Sequence, residues 1–265
     1  MIPSPVTQHE SRPEGAARAF GCPWRKHLEL AALIHESLLP RPVRHPRIEI
    51  DVRYRPMEWV GGDDCQIVFP DEASCYLTIY DVVGHGLGPA LLATRISAEV
   101  RGLIAGRLRP EEMVERLEGF FWRYFSGTEL QLSFFAAHLD LDQRRLTYSG
   151  AGHPAPLLMR RSPGRIEQLA SQNLLIGVRE GGLGRPIQGE LDYAPGERLL
   201  LFTDGLTETA NPDGELLGEA GLIRLASVTC AGSVFDVGAC IARQIEAFRV
   251  GPPQDDVTLI LAEMK

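Results

Sequence analysis

Leu77-Thr78-Ile79-Tyr80-Asp81-Val82-Val83-Gly84-His85-Gly86, followed at once by Leu87-Gly88-Pro89-Ala90-Leu91-Leu92, is the stretch on which the reading of this chain turns. An apolar run ends in a single acid, passes a turn carrying two glycines and restarts with proline near the first helical position, which predicts a strand-turn-helix unit. An acid at the end of a buried strand, beside backbone that glycine leaves accessible, suits a hard metal ion.

Upstream, Ile48, Ile50, Val52 and Tyr54 alternate with Glu49, Asp51, Arg53 and Arg55, the period of a half-buried strand. A turn at Gly61-Gly62-Asp63-Asp64 leads into a strand from Cys65 to Phe69, and Pro70-Asp71-Glu72 turns into the strand that ends at Asp81. Asp63 and Asp81 therefore sit at strand ends in one meander, able to share a sheet edge.

Downstream, helices are expected from about Pro89 to Arg107 and from Pro110 through Tyr124, the second with acids in its first turn to suit the helix dipole. Ser133 to Leu141 and Arg145 to Ser149 read as a hairpin, followed by Gly150-Ala151-Gly152-His153-Pro154 and a strand through Leu157-Leu158-Met159. Arg198 to Phe202 is a buried strand that meets Asp204. Helices over Glu219 to Val228 and Val234 to Phe248 precede Asp255-Asp256, which open a last strand, Leu259-Ile260-Leu261. Strands gathered around segregated helix pairs argue for an α+β fold, most simply two packed sheets with helices outside.

The N-terminal part divides differently. Residues 1–24 are rich in proline and polar residues without periodicity and read as a flexible lead-in. Residues 25–40 read as an amphipathic linker helix, with Leu30, Leu33, Ile34, Ser37 and Leu38 on one face and Pro40 and Pro42 as a stop. That face fits either packing on the domain or a homodimer contact through residues 26–39. The main domain is 41–265.

Bulk properties exclude several classes. The chain of 265 residues is 44% hydrophobic and 23% charged, ordinary globular composition. No apolar run approaches the roughly 18 residues of a membrane span, and the start carries no signal pattern, so a cytoplasmic protein without membrane attachment is expected. With 35 acidic against 27 basic residues and a net charge of -8, the chain lacks the basic face of a nucleic-acid binder. Five cysteines without a Cys-x-x-Cys indicate neither a disulfide framework nor a zinc knuckle.

Four acidic points remain: Asp63, Asp81, Asp204 and the pair Asp255-Asp256. Singly, each has the ordinary role of a turn former or helix cap. Brought together they would repel one another unless cations occupied the middle. Carboxylates, a backbone carbonyl and water are ligands for Mg²⁺ or Mn²⁺. Two such ions about 4 Å apart would acidify a shared water and polarise a phosphoryl oxygen. Phosphoester hydrolysis follows.

The segments Val60-Gly61-Gly62-Asp63, Asp81-Val82-Val83-Gly84-His85-Gly86, Ser149-Gly150-Ala151-Gly152-His153-Pro154, Leu201-Phe202-Thr203-Asp204-Gly205-Leu206-Thr207-Glu208 and Asp255-Asp256-Val257-Thr258 together resemble the SpoIIE/RsbU-type branch of the metal-dependent PP2C-like (PPM) serine/threonine phosphatases. They occur in the family's order, over Leu38 to Leu261. The resemblance implies a four-layer α/β-β/α sandwich with a two-metal site at one edge of two mainly antiparallel central sheets. It implies that Asp81 bridges two Mn²⁺ or Mg²⁺ ions, that the Val82 carbonyl binds one of them, and that Asp204 and Asp255 hold the other. Asp63 would sit on the side of the second ion, directly or through water. It also implies direct attack of activated water on phosphoserine or phosphothreonine of a protein substrate, an anti-sigma-factor antagonist in a bacterial partner-switching pathway.

The chain departs from that pattern in places. Gly-Gly-Asp continues as Asp64-Cys65-Gln66 where many relatives carry aromatics and a further acid. Val83 stands where eukaryotic relatives have histidine. His85 and His153 read as turn residues held by hydrogen bonds. Arg53 and Arg55 are the sequence candidates for gripping phosphate. Two other functions fit the same residues. One is a degenerate domain serving as a non-catalytic regulatory binding module, whose signature would be loss of metal acids. The other is a hydrolase of small phosphoesters, for which no nucleotide-binding glycine signature is visible.

Overall fold

The run ending at Asp81 is apolar on both sides because both sides are covered. The computed structural model describes residues 24–162, 165–178, 185–228 and 232–265. Its elements begin with α1 (Arg25–Leu38), β1 (Val43–His45), β2 (Ile48–Arg55), β3 (Asp63–Asp71), β4 (Ser74–Val82), α2 (Leu87–Ala105) and α3 (Pro110–Phe125). There follow β5 (Leu132–Asp140), β6 (Arg145–Ala151), β7 (Leu157–Met159), β8 (Ile166–Gln168), β9 (Gly189–Asp192) and β10 (Arg198–Phe202). The chain closes with α4 (Asp204–Thr207), α5 (Gly218–Val228), α6 (Val234–Phe248) and β11 (Val257–Met264).

One sheet runs β3-β4-β5-β6-β9 and the other β1-β2-β11-β10-β7-β8, with antiparallel pairing at every neighbouring step. On β4, Cys75, Leu77 and Ile79 point between the sheets, where they meet Ile48, Ile50, Leu199, Leu201, Ile260 and Ala262. The alternate residues Tyr76, Tyr80 and Val82 pack under α2 and α3. Leu200, Phe202, Leu259 and Leu261 on the second sheet pack under α5 and α6. Three apolar layers thus separate four structural layers, the α/β-β/α sandwich that the family resemblance implies.

The lead-in assigned to residues 1–24 falls, up to residue 23, outside the described residues. β3 starts two residues before the expected strand, at Asp63, so Asp63 and Asp64 belong to the strand and point to opposite faces. The short strands β1, β8 and β9 carry too few residues for a visible period and escape the sequence reading. α2 and α3 start with their own stop and start signals: Gly86, at φ 88°, precedes α2, and Glu112 accepts a hydrogen bond from the Arg109 amide at 2.8 Å.

α1 presents two apolar faces. Its one buried residue is His35. Leu30, Leu33 and Ile34, on the face the periodicity singled out, are 56%, 55% and 55% exposed.

Candidate metal centre

The inward rows of both sheets end in polar residues at the same edge of the sandwich. On the first sheet, the row containing Ile67 and Cys65 ends at Asp63, and the row containing Leu77 and Ile79 ends at Asp81; the register pairs these two acids directly. On the second, Leu199 and Leu201 lead to Thr203, and Ala262 and Ile260 lead to Thr258. Asp63 Oδ2 accepts hydrogen bonds from Thr203 Oγ1 at 2.8 Å and Thr258 Oγ1 at 2.6 Å. The Thr258 amide in turn donates to Thr203 Oγ1 at 2.9 Å. An aspartate of one sheet is thereby pinned by two threonines of the other.

Asp256 is held from both sides: Oδ1 accepts from the Met57 amide at 2.7 Å and Oδ2 from the Gly62 amide at 2.8 Å. The Gly61-Gly62 pair permits this wrap, because a methyl at position 61 would overlap the Asp256 carboxylate. At position 62 it would lie 2.7 Å from the Val82 carbonyl oxygen, 3.1 Å from Asp81 Oδ1 and 3.3 Å from the Gly84 carbonyl oxygen. Three oxygens therefore line one hollow that any side chain at 62 would fill. Asp204 opens α4, whose Gly205 lies so close to the Asp256 carbonyl that no side chain fits there. Asp255 Oδ1 accepts from the Asp256 amide at 2.8 Å.

Proximity shows in the protonation equilibria. Burial raises the Asp63 carboxyl well above the usual range, and Asp81 and Asp256 add to the rise, against the threonine hydrogen bonds. Asp81 is pushed up to about 8 by burial and by Asp204, Asp255 and Asp256, offset in part by a hydrogen bond with Asp63. Asp204 rises through burial and Asp255. Burial lifts Asp255, with Asp256 and Glu208 contributing. Asp256 rises through burial despite its backbone donors. Such mutual repulsion is what a divalent cation relieves.

As the side chains stand, no group of three or more His, Cys, Asp or Glu among the described residues is arranged to hold an ion. Asp63 and Asp256 commit oxygens to hydroxyls and amides, and the acids repel. The donor chemistry still fits: carboxylates plus the Val82 and Gly84 carbonyls form an all-oxygen set suited to Mg²⁺ or Mn²⁺ and unsuited to a zinc site of Cys and His.

Other sequence candidates lie elsewhere. Arg53 and Arg55 do not reach the acids: Arg53 Nε bonds Asp51 Oδ2 at 2.8 Å under α6, and Arg55 pairs with Glu246 of α6. Both point away from the row that carries Tyr54, as strand alternation requires. His85 is exposed rather than locked into its turn, with Nδ1 3.6 Å from Glu58 Oε1. His153 is buried, with Nδ1 3.0 Å from Ser133 Oγ, and burial pushes its pKa down to about 3 against a smaller opposing contribution from the Phe202 backbone. Asp64 lies on the helix side of β3, where Tyr80 Oη donates to it at 2.8 Å. A cleft of about 590 Å³ between α5 and α6, with Leu217, Leu225, Val228 and Phe248 in its wall, has no carboxylate among its lining residues. Sequence reading missed Thr203, Thr258 and the clamping of Asp256; the threonines are visible afterwards as the next inward positions of β10 and β11.

Two antiparallel sheets between helix pairs, with carboxylates gathered at one sheet edge, define the PP2C-like class of folds. Residues 71–265 match the family described as Stage II sporulation protein E (SpoIIE), and the chain belongs to that family. It is 28% identical over 187 residues to phosphoserine phosphatase RsbP of Bacillus subtilis (strain 168), covering 69% of this chain and 46% of RsbP, so it spans about half the length of that relative. With phosphoserine phosphatase RsbU of the same organism it shares 23% identity over 242 residues, 91% of this chain and 71% of RsbU. In fold it matches the SiaA-PP2C domain of Pseudomonas aeruginosa with a TM-score of 0.78 at 19% identity, covering 91% of this chain and 96% of that one. RsbX, solved in complex with magnesium, matches with a TM-score of 0.63 at 18% identity over 85% of this chain and 99% of RsbX.

Proposed function

We propose that this chain is a Mn²⁺- or Mg²⁺-dependent protein serine/threonine phosphatase whose catalytic centre is formed by Asp63, Asp81, Asp204 and Asp255 with the Val82 carbonyl. The observation that carries the reading is the gathering of these acids at one sheet edge, where Asp63 pairs with Asp81 and the charges of Asp204 and Asp255 act on Asp81, a repulsion that a pair of divalent ions would cancel. Asp81, the Val82 carbonyl, Asp204 and Asp255 would together hold the ions. Bound there, such ions would acidify water and polarise a phosphoryl oxygen. Asp63, fixed by Thr203 and Thr258, keeps its neighbour Asp81 in register. Asp256, clamped by Met57 and Gly62, shapes the loop and orients Asp255. Cys65, two residues from Asp63, does not fit a nucleophile's part: it is fully buried, and burial raises its pKa well above the ordinary thiol range.

The substrate class follows from the relatives. RsbP and RsbU carry the name phosphoserine phosphatase, which supports a phosphoserine protein, and within it an anti-sigma-factor antagonist of a partner-switching pathway, as the physiological target. No described helix is long and apolar enough to cross a membrane. The outward Leu30, Leu33 and Ile34 of α1 support pairing with a second copy. Phosphate release from a phosphoserine protein, measured with and without Mn²⁺, tests the activity.

A further inference from the structure

β2 carries Ile48, Ile50 and Val52 into the inter-sheet core, and its next inward residue is Tyr54. Across the ladder Tyr54 faces Thr258, the residue that donates to Asp63. Asp256 lies two residues before Thr258, on the diagonal of that pair, a span of about 7–8 Å within reach of an aromatic side chain. The chain just after Tyr54 folds over the same acid through the Met57 amide. The Tyr54 hydroxyl oxygen is shut off from solvent and has no hydrogen-bond partner among the described residues. Buried hydroxyls are ordinarily paired, so this exception calls for a reason. Burial, followed by the charges of Asp256, Asp63 and Asp64, holds the phenol protonated far above its usual range, so it stays a donor. Carboxylates demand donors most when ionised, the state a bound cation imposes on them. On the ring side, His35, the one buried residue of α1, sits with its centroid 5.4 Å from that of Tyr54.

We infer that Tyr54 is a positioning residue of the acidic centre: its hydroxyl donates to the carboxylates, or to water held between them, and its ring is braced by His35 of α1. The inference rests on the reading of these acids as the metal centre. It assigns to α1 a direct physical connection to that centre through two side chains.

Titration calorimetry with Mn²⁺ alone, on the full chain stripped of metal, tests it beside thermal unfolding without metal. Tyr54→Phe is expected to weaken Mn²⁺ binding roughly tenfold or more while leaving the metal-free midpoint unchanged or higher, since it removes an unpaired buried hydroxyl. Wild-type affinity in Tyr54→Phe, with binding abolished in Asp81→Asn, overturns the inference and spares the metal centre. A loss of affinity accompanied by a lowered metal-free midpoint also overturns it, because packing alone would then explain both. Wild-type affinity in Asp81→Asn removes the metal centre and this inference with it. A second pair leaves the hydroxyl in place: His35→Ala is expected to weaken binding and His35→Phe to restore it, and equal affinity in the two contradicts the bracing role.

Discussion

Asp63 on one sheet and Thr258 on the other are joined by a hydrogen bond of 2.6 Å at the end of the inter-sheet core. The bond matters most when Asp63 carries charge, because a donor to a buried carboxylate is worth more than one to a neutral acid. Thr258→Val is therefore expected to cost roughly 1.5–3 kcal/mol of stability with Mn²⁺ bound and roughly 0.5–1.5 kcal/mol without it. Urea unfolding of both forms with and without the ion measures the difference, and an equal cost in both conditions would show that Asp63 does not ionise on ion binding.

The metal-free protein should lose stability as pH rises. Asp81 has a folded pKa of about 8 against an ordinary value of 3.8, and Asp64 one of about 6 against 3.8. Between those values the folded state binds more protons than the unfolded state, so the slope of unfolding free energy with pH is negative. The contribution is full below about pH 4 and is lost by about pH 8. Melting temperatures in chelator at pH 5.5 and 8.5 are expected to fall, and saturating Mg²⁺ to remove most of that fall. A flat profile in chelator would mean that neither burial nor the neighbouring acids raise these carboxyls in the folded protein.

Glycine at positions 61 and 62 is a packing requirement. Gly61→Ala forces a methyl into the Asp256 carboxylate, which two backbone amides hold still, and Gly62→Ala places one 2.7 Å from the Val82 carbonyl oxygen. Overpacking of this kind costs roughly 1–3 kcal/mol. Gly62→Ala is expected to abolish measurable Mn²⁺ binding in calorimetry at a temperature where it remains folded; wild-type affinity would take the hollow at Gly62 out of the site.

The outward face of α1 predicts self-association. Leu30→Glu with Ile34→Glu is expected to convert a dimer to a monomer in sedimentation while changing stability by no more than roughly 0.5 kcal/mol, as surface substitutions do. A wild-type chain that sediments as a monomer at tens of micromolar would remove the pairing.

The sequence shows its long elements and the acids at their ends clearly, because β4 and β5 are continuous apolar runs, α2 and α3 carry helical periodicity, and Asp63, Asp81, Asp204 and Asp255 each follow an apolar run or a glycine turn. It shows poorly whatever depends on which sheet faces which. Thr203 and Thr258 are unremarkable in their own segments and acquire a role only when the two sheets stack. Tyr54 reads as the last member of an alternating strand, and nothing local says that its hydroxyl is buried without a partner opposite Thr258. Arg53 and Arg55 attract attention by proximity to Gly61-Gly62, yet alternation along β2 turns them toward α6, where Asp51 and Glu246 take them up. β1, β8 and β9 are edge or near-edge strands of three or four residues whose pairing partners, more than their own composition, make them strands.

The most direct test of the central claim is phosphate release from a phosphoserine anti-sigma-factor antagonist by wild type and Asp81→Asn, with Mn²⁺ and with chelator. Release by wild type that requires Mn²⁺ and falls at least roughly a thousandfold in Asp81→Asn is the predicted result, the scale expected when a group supplying several kcal/mol of transition-state stabilisation is removed. Release that persists in chelator, or that Asp81→Asn leaves intact, would contradict it.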